Sequence, residues 1–166
     1  MKNKRKKDKK KRGFIMKISL GADHGAFELK EAVKKHLEEQ NYEVVDYGCF
    51  SKESVDYPRY AFLAANAVAK GECDFGVICC TTGLGVSMAA NKVKGVRAAV
   101  CTNEMLAEMT RRHNNANVIC MGQNVVSEEL AFKMVDIFLS TGFEGGRHER
   151  RVNLLKDIED GKELTV

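Results

Sequence analysis

A chain of 166 residues with 44% hydrophobic side chains is long enough to bury one sizeable core. Its net charge of +4 is unevenly spread. Residues 1–12 hold nine Lys or Arg and one Asp, so the remaining chain carries 18 basic against 22 acidic groups. The body is mildly acidic, which argues against a polyanion-binding body and confines any basic attraction to the tail.

Residues 1–15 read as a disordered basic extension, a solvated appendage or the result of an early start codon, because Met16-Lys-Ile-Ser-Leu opens the first strand. Nucleic acid or anionic membrane bound through this tail is the alternative. The apolar run after it is short and interrupted by Lys17, so it is not a secretory signal, and no later segment is long enough to span a bilayer. Six cysteines, at 49, 73, 79, 80, 101 and 120, include no C-x-x-C pair. That pattern favours free thiols in a reducing cytoplasm over disulfides or zinc.

From Met16 the chain alternates strands and helices. Lys17–Gly21 is the first strand, and a helix from about Phe27 to Glu39 carries Leu29, Val33 and Leu37 on one stripe. Glu43–Asp46 is the second strand. Pro58, the only proline, opens a helix that runs to about Lys70 before Gly71. Residues 75–79 form a short apolar strand, followed by a turn and a helix from Val86. Arg97–Cys101 is the fourth strand, with a helix to about Arg112. Val118–Met121 is the fifth, followed by a helix over Glu128–Ser140 with Leu130, Met134 and Phe138 in register. Gly145-Gly146 breaks the chain before a final helix near Glu149–Asp160.

Five βα units in sequence predict an α/β fold: a three-layer α/β/α, Rossmann-like arrangement around a five-stranded parallel sheet. Residues 16–160 are expected to form one domain, with 161–166 a C-terminal tail. Ligands of such sheets gather at the carboxyl ends of the strands. Those ends carry Asp23-His24-Gly25, Cys80–Gly85, Asn103 and the loop around Gln123. His113-Asn114-Asn115 falls at the opposite end of its helix. It can join the same chemistry only in a neighbouring subunit, which points to a dimer.

The turn after the third strand holds a thiol, two hydroxyls and two glycines, Cys80-Thr-Thr-Gly-Leu-Gly85. A strand feeding a glycine turn and a helix start aims several N–H groups at one spot, suited to an oxygen that becomes negative during reaction. Cys80 beside those donors is in a setting that favours thiolate, so it is a candidate proton acceptor. Cys79, Cys101 and Cys120 read instead as buried small hydrophobes. Gly83-Leu-Gly85 lacks the third glycine of a dinucleotide fingerprint and follows the third strand, which rules that reading out. A receiver domain is also unsuitable, because Cys80 stands where its acceptor aspartate would be. Asp23 is either a helix cap or a site residue. Arg147 and Arg151, one helical turn apart, suit a phosphate dianion or form a solvated basic face. His36, among Lys and Glu, is expected to be a surface residue. No cluster with metal-ligand spacing is visible, so neither metal nor cofactor is expected.

Together, Gly21-Ala-Asp-His-Gly25, Val55-Asp-Tyr-Pro58, Cys80–Gly85, Ser87-Met-Ala-Ala-Asn91, Arg112-His-Asn-Asn-Ala-Asn117 and Gly145-Gly-Arg-His-Glu-Arg-Arg151 resemble the ribose-5-phosphate isomerase B family of sugar-phosphate isomerases. The resemblance runs in family order over roughly Met16 to Asp160. It implies metal-free interconversion of ribose 5-phosphate and ribulose 5-phosphate through a cis-enediolate. It also implies catalytic roles for Cys80 in proton transfer, His113 in ring opening and Thr82 in oxyanion stabilisation with the Gly83–Leu84–Gly85 amides. His24, Arg147 and Arg151 would hold phosphate, while Asp23, Tyr57 and Asn114 would contact the sugar, with the site shared between two subunits.

Thr81, also at the site, departs from the glycine usual in the family. A Cβ there would strain the turn if it required positive φ. The alternatives are an isomerase of allose or galactose 6-phosphate on the same scaffold, or a non-catalytic sugar-phosphate or nucleic-acid binding protein.

Overall fold

A computed structural model describes residues 15–165 of the chain. The basic segment over residues 1–12 lies outside the described residues. Five parallel strands, β1 (Lys17–Ala22), β2 (Glu43–Asp46), β3 (Phe75–Cys80), β4 (Ala98–Val100) and β5 (Val118–Gly122), form one sheet in the order β2-β1-β3-β5-β4. Six helices accompany them: α1 (Phe27–Glu39), α2 (Tyr57–Ala69), α3 (Leu84–Ala90), α4 (Glu104–Asn114), α5 (Glu128–Ser140) and α6 (Arg147–Glu159). A single 3-10 turn, His24–Ala26, joins β1 to α1.

The alternation of side chains along each strand divides the core into two layers. Val77 and Cys79 of β3, with Ile119 and Met121 of β5, face Leu29, Val33 and Leu37 of α1 and Met134 and Phe138 of α5. Ile78 and Cys80, with Val118 and Cys120, face the alanine-rich side of α2 and α3. Small residues let α2 sit close. A Cβ on Gly21 would meet the Ala64 Cβ and Tyr60 carbonyl oxygen at 3.0 Å, and the Ser19 hydroxyl donates to the Ala64 carbonyl at 2.9 Å.

Element boundaries differ from the sequence reading by a residue or two. Helix α3 begins at Leu84, not Val86, because Gly83 adopts φ +82° and turns the chain into the helix at once. Helix α6 begins at Arg147, also directly after a positive-φ glycine. His36 is not a simple surface residue. Its ring stacks on Phe132 at 4.4 Å, and its Nε2 lies 2.8 Å from Asp136 Oδ1, tying α1 to α5. Among the described residues no helix is long and apolar enough to cross a membrane.

Candidate active site

Chain connections diverge on either side of β1 and β3, a topological switch point where sheets of this kind open a crevice at the carboxyl ends of the strands. Asp23 follows β1, and Cys80 ends β3. The Asp23 amide donates to the Cys79 carbonyl at 3.3 Å, so the two strand ends are stitched together. Asp23 is not a helix cap: its side chain makes no capping bond, and its Oδ1 is buried with no hydrogen-bond partner among the described residues. A buried carboxylate oxygen left unpaired is costly unless a ligand group meets it.

Cys80, only 5% exposed, ends β3 beneath the turn that follows. Its Sγ accepts the Gly83 N–H at 3.0 Å. The Thr82 hydroxyl accepts the Leu84 N–H at 3.3 Å. Amides in the first turn of α3, at Gly85 and Val86, have no acceptor within the helix. The turn is set rigidly against β5: a Cβ on Gly122 would fall 2.5 Å from the Thr82 carbonyl carbon. Gln123 and Asn124 donate their amides to the Cys80 and Thr81 carbonyls at 2.9 and 3.0 Å.

Thr81 does not carry the strain that its Cβ threatened. Among described non-glycine residues, positive φ occurs at Asn41 and Asn115, and the turn places its left-handed residue at Gly83. The Thr81 side chain lies over Gly25, where an added Cβ would meet its Oγ1 at 2.3 Å and Asp23 Oδ1 at 3.3 Å. Gly25 therefore lets a hydroxyl and an unpaired carboxylate oxygen converge. Tyr57, at the start of α2, covers Gly85 with its ring, which a Cβ there would meet at 2.8 Å. His24 Nδ1 accepts the Val55 amide proton at 3.1 Å, so the neutral ring carries its proton on Nε2. Two other polar residues of this edge have structural tasks. Asn103 caps α4 through Leu106 N–H at 2.9 Å, and Gln123 accepts Leu29 N–H at 2.9 Å.

A second group of predicted residues lies at the opposite edge. Gly122 stands in register with Cys80. From there β5 runs back to Val118, roughly 13 Å at ~3.3 Å per residue, and His113 precedes that strand. His113, Asn114, His148 and Arg151 line a cavity of about 370 Å³. Arg147 is exposed, with Nε 3.4 Å from His148 Nε2. The structure thus brings Asp23, His24, Tyr57, Cys80, Thr81, Thr82 and Gly83–Gly85 together in one group and His113, Asn114, Arg147 and Arg151 in another. It does not join the two groups within one chain.

Sequence reasoning missed a cluster in this second group. The His113 and His148 rings stack at 4.1 Å with an interplanar angle of 6°. Glu144 Oε2 lies 3.7 Å from His113 Nε2 and 3.6 Å from His148 Nε2. The ligand atoms of these residues all lie within 4.8 Å of one another. Parallel rings do not aim their lone pairs at a common point, and Arg112 and Arg147 adjoin the group, so the arrangement suits a shared anion better than a cation. Arg112, which donates from Nε to Glu144 Oε1 at 2.6 Å, holds the carboxyl below its usual range. Partial burial, then the positive charges of His113 and Arg147, push the His148 ring down. The spacing of Glu144 four residues before His148 was the available signal.

Comparison with known proteins places the chain in a family. The family described as Ribose/Galactose Isomerase matches residues 18–155. Ribose-5-phosphate isomerase B of Escherichia coli (strain K12) is 48% identical over 145 residues, covering 87% of this chain and 97% of that protein. The solved Clostridium thermocellum ribose-5-phosphate isomerase B superposes with a TM-score of 0.87 at 49% identity, covering 88% of this chain and 99% of the other. The Mycoplasma genitalium ribose-5-phosphate isomerase B, solved with bound ribulose-5-phosphate, superposes with a TM-score of 0.85 at 41% identity, covering 89% and 99%. The chain belongs to the Ribose/Galactose Isomerase family.

Proposed function

We propose that this protein is an aldose–ketose isomerase that interconverts ribose 5-phosphate and ribulose 5-phosphate. The observation that carries the reading is the Cys80 sulfur, held by the Gly83 amide at 3.0 Å at the carboxyl end of β3, with the unpaired Asp23 Oδ1 following the neighbouring strand β1. Ribose-5-phosphate isomerase B relatives support the choice of substrate.

In this reading His113 takes the proton of the C1 hydroxyl and delivers it to the ring oxygen as the bond between C1 and that oxygen breaks, which leaves the C1 aldehyde. The Cys80 thiolate then removes the C2 proton. The C–H electrons form the C1–C2 double bond, and negative charge moves onto the carbonyl oxygen. Thr82 and the Gly83–Leu84–Gly85 turn stabilise that oxygen, the Gly85 amide directly and the Gly83 and Leu84 amides once they turn from Cys80 and Thr82 to the substrate, a contribution of about 10²–10³ in rate per donor. The hydroxyl proton on O2 passes to O1 across the cis-enediolate, the C2 carbonyl forms, and Cys80 returns its proton to C1. Asp23, Tyr57, Thr81 and Asn114 orient the sugar hydroxyls, while His24, Arg147 and Arg151 hold the phosphate.

The separation of the two residue groups supports a homodimer in which one subunit supplies the Cys80 group and its partner the His113 group. A cytoplasmic location suits six free cysteines.

The test is a coupled assay for ribulose 5-phosphate in EDTA, with wild type beside Cys80→Ala. Wild type should turn over, and the variant should lose about 10²–10⁴ in kcat while still binding substrate. A wild type that binds ribose 5-phosphate without turnover would favour a non-catalytic binding protein.

A further inference from the structure

We propose that Glu144 is a positioning residue for His113, fixing which ring nitrogen carries the proton and which is free to act on the sugar. The inference rests on the isomerase reading above and deepens it.

The turn before α6 and the end of α4 clamp the carboxylate. Glu144 N–H donates to the Arg112 carbonyl at 3.0 Å, and the Arg112 guanidinium engages Oε1. Arg112 is itself held by Glu108 at 2.9 Å. Only Oε2 is left, and it faces the two stacked imidazoles. Arg147 donates its Nε–H toward His148 Nε2 at 3.4 Å, so that nitrogen serves as an acceptor. The N–H best placed to face Glu144 Oε2 is therefore that of His113 Nε2, at 3.7 Å. That separation is longer than a hydrogen bond, and a small rotation or a bridging water closes it.

With Nε2 protonated toward the carboxylate, His113 Nδ1 keeps its lone pair. A carboxylate that orients an imidazole and selects its tautomer leaves the other nitrogen as the working base. The stack on His148 restricts the ring plane, and Glu144 restricts its orientation within that plane. The remaining charged groups beside the pair, Arg112, Arg147 and Arg151, are cations, so Glu144 supplies the anion that makes a positive charge on His113 tolerable as it takes up a proton.

The experiment compares two substrates. Ribose 5-phosphate must be opened before C2 can react, whereas 4-deoxyribose 5-phosphate lacks the hydroxyl that closes the furanose and is always open. Glu144→Gln keeps the shape and loses the charge. It should lower kcat on ribose 5-phosphate by at least about tenfold, leave KM within about twofold, and leave the rate on the open analogue within about twofold. The retained rate on the analogue is also the control for folding. His113→Ala should show the same split more strongly.

Unchanged turnover of ribose 5-phosphate by Glu144→Gln, or an equal loss on both substrates, overturns the positioning role. If His113→Ala loses both substrates equally, ring opening is not the task of His113, and the role of Glu144 falls with it. Wild type inactive on both substrates defeats the isomerase reading itself.

Discussion

The Cys80 sulfur accepts the amide proton of Gly83 at 3.0 Å, a contact made within a single turn of chain. Strand β3 delivers the thiol, and the left-handed Gly83 folds the backbone over it. The donor and the residue it stabilises are therefore positioned by the same local conformation. This separates Cys80 from the other five cysteines, which are buried free thiols.

Thiol labelling should report that difference. Burial pushes the Cys73 thiol up to about 11 and those of Cys79 and Cys101 up to about 12, and it raises Cys49 and Cys120 as well. A raised thiol pKa means less thiolate at a given pH, so these groups should react slowly near pH 8 and gain about tenfold in thiolate per added pH unit. Mass spectrometry after brief alkylation of the native protein is expected to find position 80 modified first, with protection by ribose 5-phosphate. Equal labelling of Cys79 would contradict this.

A buried ion pair supports the crevice from below. Lys30, fully buried, places Nζ 2.6 Å from Asp46 Oδ2 and from Glu31 Oε1, and lies 5.4 Å from the Phe50 ring centroid. Asp46 Oδ1 accepts the Gly48 N–H at 2.9 Å, and the Gly48–Cys49 segment bonds both ways to Ala22, the residue before Asp23. Lys30→Met should cost about 3 kcal/mol by chemical denaturation, because it strands a buried carboxylate. Lys34, 3.3 Å from Asp46, limits the loss. The double variant with Asp46→Asn should recover part of it, and no recovery would show the pair to be uncoupled.

Thr81 is the residue through which this crevice differs in shape from a glycine-floored one. Thr81→Gly removes the hydroxyl beside Asp23 Oδ1 and adds room over Gly25. The kcat/KM ratio of allose 6-phosphate to ribose 5-phosphate should rise by about 3–10-fold, since a methyl-sized change in a pocket discriminates on that scale or above. Added backbone freedom should lower stability by about 0.5–1 kcal/mol, readable by calorimetry. An unchanged ratio would place Thr81 outside substrate contact.

Strand and helix periodicity made most of the architecture legible, as β1 through α5 illustrate, because each element buries one face and its apolar spacing records that face. Helix starts were less legible where conformation rather than hydrophobicity sets them, at Leu84 and Arg147 after positive-φ glycines. Lys30 looked like any polar residue of an amphipathic helix; its burial depends on Asp46 sixteen residues away. The crevice residues were legible because Asp23 directly follows a strand and Cys80 ends one. Glu144 was not, because its partners Arg112 and His113 are brought to it only by the packing of the α4 end against the turn before α6.

The distance between Cys80 and His113 along one sheet has a genetic consequence. If each reaction centre takes its thiol from one polypeptide and its imidazole from another, two dead alleles can rescue one another. Refolded together in equal amounts, Cys80→Ala and His113→Ala chains would pair at random, and half of the pairs would be hybrids with one intact centre each. The mixture should regain about a quarter of wild-type turnover of ribose 5-phosphate, well above either parent alone.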